Sequence, residues 1–255
     1  PPHAIRMNPR LRAVGVGIGL GALGIGLGFL LVILAGLSLA VAGVAVSPVL
    51  NIGLSLFLVQ GIALMGVGYA YLRRRGITLG SIGVRLPSLK HLGVAAGAFV
   101  LSIVYLMVAS QIIQYFGAQT AENNVVSMGM ENPEILLWLI PGAYIFIGPG
   151  EELLFRGVIQ TRIREVFSPV AGVVVASIIF AGIHLPALSL GAPLSAKLTT
   201  LVVLLGPSLI LGASYEYTDN LVVPILIHGS YDALLFIGLY ALATSEGAAG
   251  AAVLL

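Results

Sequence analysis

The sequence predicts an all-α polytopic membrane protein of about seven to eight transmembrane helices enclosing a polar cavity. Three observations support this. The composition is 58% hydrophobic and only 9% charged, with mean hydropathy +1.07, against ~25% charged residues in soluble domains. Apolar runs of span length alternate with short basic or polar clusters. Glycine is abundant, 33 of 255 residues, as expected where membrane helices approach closely. The runs show no apolar/polar alternation, which excludes a β-barrel. Cysteine is absent, which excludes disulfides and thiolate chemistry. The bases sit between apolar runs and read as topology signals, so no nucleic-acid surface is expected.

Pro1 to Arg12 carries Arg6, Arg10 and Arg12 and is expected in the cytoplasm by the positive-inside rule. Val14 to Val46 exceeds the ~20 residues of one span and is expected to tilt, extend beyond the bilayer or split in two. Ser47-Pro48 precedes a second span, Val49 to Leu72, ended by the cytoplasmic anchor Arg73-Arg74-Arg75-Gly76. Ile77 to Lys90 is a loop or interfacial segment, and His91 to Phe116 is a third span. Gly117 to Glu134 holds Glu122, Glu131 and Glu134 but no Lys or Arg, which suits the outer side. Ile135 begins a fourth helix, in which Gly142, Gly148, Pro149 and Gly150 are expected to produce a kink. A turn at Ser168-Pro169 leads into a fifth helix, Val170 to Leu185. Leu198 to Tyr215 is a sixth, expected to break at Gly206-Pro207, and Leu221 to Leu242 is a seventh.

Ionisable residues inside apolar helices are costly to bury and are candidates for function. The densest group is Glu151-Glu152-Leu-Leu-Phe-Arg156. Glu152 and Arg156 share a helix face at i, i+4. Glu151 is turned about 100° from Glu152, so the spacing pairs Arg156 with Glu152 and leaves Glu151 free for chemistry. Glu151 lies 17 residues before Ser168 and His184 lies 16 after it. Each is then ~25 Å from the turn at 1.5 Å per residue, which puts both at one level of a helical hairpin. His228 and Asp232 share a face of the last helix. Ser230 points about 200° away from His228 and is discounted as a nucleophile. The glycines of the first span follow no strand, so no dinucleotide site is expected.

Three stretches in this order, Glu151-Glu152-x-x-x-Arg156, Phe180-x-x-x-His184 and His228-x-x-x-Asp232, resemble the CPBP family of intramembrane proteases, which includes the CAAX prenyl endopeptidases of the Rce1 type. The resemblance covers roughly Pro133 to Tyr240. It implies a catalytic cavity and an endopeptidase acting on a membrane-associated or lipid-anchored peptide or protein substrate. Glu151 would activate water, His184 orient it and His228 donate to the oxyanion, with Glu152 and Arg156 as a buried pair. The last motif position is often Asn in the family. Asp232 departs from that and suits a role as acceptor for His228. The residues leave a second reading open, in which His184, His228 and Asp232 bind zinc and Glu151 is the base; the metal-free reading is preferred. A noncatalytic scaffold and a proton-coupled transporter are the alternatives from other classes. The expected organisation is N-terminal helices and a basic loop over residues 1–90, a protease core over 91–245 and a tail over 246–255. The site is expected to be reached from the cytoplasmic side.

Overall fold

The computed structural model describes residues 8–245. Arg6 and the expected tail of residues 246–255 lie outside the described residues. The helices, in chain order, are α1 (Pro9–Val41), α2 (Pro48–Arg75), α3 (Leu89–Phe116), the short α4 (Asn124–Glu131), α5 (residues 134–164), α6 (Pro169–Ile183), α7 (Leu194–Thr218) and α8 (Val222–Thr244). No β-strand occurs among the described residues; a single antiparallel bridge joins Asn123 to Leu188.

Helix starts follow the local chemistry of the sequence. Ser47, Ser88 and Ser168 accept from the backbone N–H groups of Leu50, His91 and Ala171, capping α2, α3 and α6. Pro48 and Pro169 occupy first-turn positions, where the missing N–H costs nothing. Gly76 and Gly117 end α2 and α3 in the left-handed region, at φ 66° and 61°, which glycine adopts without strain.

Six helices (α1, α2, α3, α7, α8, and α6 extended to Ala187) are long and apolar enough to cross a membrane. The chain is therefore an integral membrane protein. α5 is the seventh long helix, and it carries Glu151, Glu152 and Arg156 through the middle of the bundle. α1 is one unbroken helix, so the long first run does not split.

α7 continues helically through Gly206-Pro207, where a break was expected. The Tyr105 ring lies over Gly206, occupying the space a side chain would fill. Packing against α3 there holds the helix together despite the proline. The polar segment after α3 also departs from a plain loop. It contains α4, whose start is capped by the Asn123 side chain on Val125 N–H.

α5 remains helical through Gly148-Pro149-Gly150. It alternates between ordinary α turns and wider turns with i→i+5 hydrogen bonding, at Ala143–Ile147 and Leu153–Gln160. A wider turn takes in an extra residue, and such turns recur at functional sites. α2 has a similar wide segment, Leu56–Leu64. α1 packs on this core through Gly17, Gly21, Gly24 and Gly28, where added side chains would meet Ile159, Ile183, Leu64 and Val59.

The Arg-rich end of the bundle is tied by ion pairs. Arg75 bonds Glu165 at 3.0 Å, Arg164 bonds Glu216 at 3.0 Å, and Arg162 also reaches Glu165. Above them, Leu72, Ile82, Val158, Tyr215 and Leu221 form a buried cluster that anchors residues 77–88 against α2, α5 and α7.

Candidate active site

The six residues singled out from the sequence come together where α5, α6 and α8 meet, and α2 and α7 supply further contacts. Glu152 is fully buried, and its Oε1 accepts two hydrogen bonds. One comes from Arg156 Nη1 at 2.8 Å and the other from His228 Nδ1 at 2.7 Å. Arg156 therefore pairs with Glu152 and not Glu151, as the spacing predicts. The guanidinium has further partners, since Nη2 donates to the Ser208 carbonyl at 3.0 Å and its hydroxyl at 2.9 Å. Its carbon lies 4.5 Å from the centre of the Phe180 ring. A buried charge of this kind is tolerable because carboxylate, carbonyl, hydroxyl and aromatic face together replace its water.

Phe180 does more than mark a motif. Its ring centre lies 4.9 Å from Phe155, 4.6 Å from His184 and 6.1 Å from His228. One aromatic side chain thus packs against the arginine and against both histidines.

The histidine tautomers follow from their partners. His184 ends α6, and its Nδ1 lies 2.8 Å from the Phe180 carbonyl. A carbonyl only accepts, so Nδ1 carries a proton and Nε2 is left on the side of Glu151, 3.9 Å from its Oε2. His228 Nδ1 likewise donates to Glu152 Oε1. Its Nε2 lies 3.5 Å from Asp232 Oδ2 and 3.9 Å from Glu151 Oε2. Both ring nitrogens of His228 therefore face carboxylate oxygens.

Glu151 is buried and held on one side only. Gln60 Nε2, from the wide segment of α2, donates to Oε1 at 3.0 Å. Oε2 has no hydrogen-bond partner. It lies 3.9 Å from Nε2 of His184 and 3.9 Å from Nε2 of His228. These gaps are too long for direct hydrogen bonds and are short enough for an oxygen to bridge Glu151 to either histidine.

Sequence reasoning missed three contributors. Gln60 is an amide within an otherwise apolar stretch of α2, and that solitary polarity is the signal that could have marked it. Ser208 directly follows Pro207 and left no such signal. Phe180 was read as a motif letter, and its contacts with Arg156 and the histidines were not foreseen. Among the described residues no group of three or more His, Cys, Asp or Glu is disposed to hold an ion.

Fold and site together define a helical integral membrane protein with a glutamate–histidine centre buried among its spans. Residues 133–234 match the family model described as type II CAAX prenyl endopeptidase Rce1-like. The chain is also similar to the Bacillus subtilis (strain 168) protein described as uncharacterized protein YpbD, with 38% identity over 90 residues. That alignment covers 35% of this chain and 40% of the relative. No solved structure matches.

Proposed function

We propose that the protein is an intramembrane endopeptidase in which Glu151 activates the attacking water. The observation that carries this is the unpartnered Glu151 Oε2, 3.9 Å from Nε2 of His184 and 3.9 Å from Nε2 of His228. A water held there donates one hydrogen to Glu151 Oε2 and the other to His184 Nε2. Its lone pair is then directed at a substrate carbonyl. Attack forms the C–O bond as Glu151 takes the proton. His228 Nε2–H donates to the oxyanion that develops. The proton on Glu151 passes to the departing amine as the C–N bond breaks, and the remaining hydroxyl proton passes to His184 Nε2, leaving a carboxylate, a free amine and a histidine that returns its proton to solvent.

The other residues hold this arrangement. Glu152 fixes the orientation of His228, and Arg156 neutralises Glu152 while anchored by Ser208 and Phe180. Asp232 Oδ2 lies 3.5 Å from His228 Nε2, one turn along the same helix, and borders the position of the oxyanion. No step runs through a metal ion. The reading takes as substrate a membrane-associated or lipid-anchored polypeptide, with CAAX-type prenylated peptides as the first class to test.

The reading also assigns the Arg-rich end to the cytoplasm by the positive-inside rule, with substrate entering from that side. The function is tested by mapping new N-termini in membranes holding wild type or Glu151→Gln. Termini present with wild type and lost with Glu151→Gln are expected. Identical sets of termini would overturn the proposal.

A further inference from the structure

We infer that Gln60 is a positioning residue for this centre, fixing Glu151 so that Oε2 is the oxygen turned toward the two histidines. The inference rests on the reading of Glu151 as the base. It adds a residue outside residues 133–234, and so makes α2 part of the working site.

Three observations converge on Gln60. Its amide N–H is the hydrogen-bond donor that the structure gives to Glu151, at 3.0 Å on Oε1. Its backbone is pressed against α5. A side chain at Gly150 would come within 2.5 Å of the Gln60 carbonyl oxygen, so glycine there lets the two helices meet directly beside the base. It also lies within the wide segment Leu56–Leu64, midway along Pro48–Arg75. That irregular stretch of α2 sits level with the irregular stretches of α5.

The chemistry of the amide suits the task. A Lys or Arg at this position would neutralise the base. An aliphatic side chain would leave both carboxylate oxygens free to turn. A neutral N–H donor occupies one oxygen and leaves the negative charge in place. The amide's own oxygen is buried with no hydrogen-bond partner. The residue therefore keeps an unsatisfied acceptor, a cost that an apolar residue at the same place would avoid.

The test uses the full-length protein with Gln60→Met, which keeps length and removes the donor, and Gln60→Asn, which keeps the amide and retracts it. Turnover is followed with a quenched fluorescent peptide carrying a farnesylated cysteine. Both variants are expected to lower kcat by about 10- to 100-fold with KM within about twofold, the pattern of a lost transition-state alignment. In a Glu151→Asp background, whose shorter carboxylate cannot reach Gln60, Gln60→Met is expected to cause no further loss. A substrate-free measurement accompanies these. The infrared difference between wild type and Glu151→Gln isolates the Glu151 carboxylate band, and Gln60→Met is expected to shift it. Full kcat in either variant, or an unshifted band, overturns the inference while an inactive Glu151→Gln leaves the hydrolytic reading standing. An active Glu151→Gln overturns the hydrolytic reading and this inference with it.

Discussion

His228 Nδ1 and Glu152 Oε1 are joined by a 2.7 Å hydrogen bond between α8 and α5. The same Glu152 oxygen accepts from Arg156 at 2.8 Å. A single carboxylate oxygen therefore links the arginine of one motif to the histidine of another. Glu152 Oε2 and Glu151 Oε2 both lack a hydrogen-bond partner, and Glu151 Oε2 lies 3.9 Å from Nε2 of both His184 and His228.

Arg156→Ala should be costly to folding as well as to activity. It would leave Glu152 buried beside His228 without its guanidinium, and would remove the donors to Ser208 and the cation over Phe180. Losing one partner of a buried pair costs about 3–5 kcal/mol. The thermal unfolding midpoint and the yield of purified protein should both fall. Wild-type yield and midpoint would show that the pair contributes little.

Asp232→Asn should be tolerated. Asp232 lies 3.5 Å from His228 Nε2 and is not needed to hold His228, which Glu152 already fixes. An amide at this position can itself donate to an oxyanion. Activity within about tenfold of wild type is expected, against a much larger loss for Glu151→Gln. Complete loss in Asp232→Asn, restored by no other change, would show that its charge is required.

Topology can be read directly, because the chain has no cysteine to remove. Ser81→Cys, in the segment beside the Arg-rich end, should label with an impermeant thiol reagent from the cytoplasmic face. Gln119→Cys, in the Arg- and Lys-free segment after α3, should label from the opposite face. Asp232→Cys reports the route to the site and should label from the cytoplasmic face. Labelling of Ser81→Cys from the outer face would reverse the orientation. Labelling of Asp232→Cys from the outer face alone would reverse the entry route.

Much of the centre was legible because helical spacing is local. The i, i+4 relation of Glu152 and Arg156 predicted their bond, and equal distances from Ser168 predicted that Glu151 and His184 would meet. What was not legible depends on contacts between distant segments. Gln60 reaches Glu151 only because Gly150 admits the α2 backbone and because both helices widen locally. Neither the closeness nor the widening is encoded in residue spacing. The unbroken course of α7 through Pro207 depends on Tyr105 packing from α3. The sequence of α7 alone therefore argued for a break that the tertiary contact removes.

The central claim is that Glu151 activates water without a metal ion. The most direct measurement is turnover of the quenched farnesyl-cysteine peptide by purified protein, wild type and Glu151→Gln, each after exhaustive chelation and again with zinc restored. The account predicts that chelated wild type retains its rate, that zinc adds nothing, and that Glu151→Gln is inactive throughout. Cutting lost on chelation and recovered with stoichiometric zinc, or sustained cutting by Glu151→Gln, would contradict it.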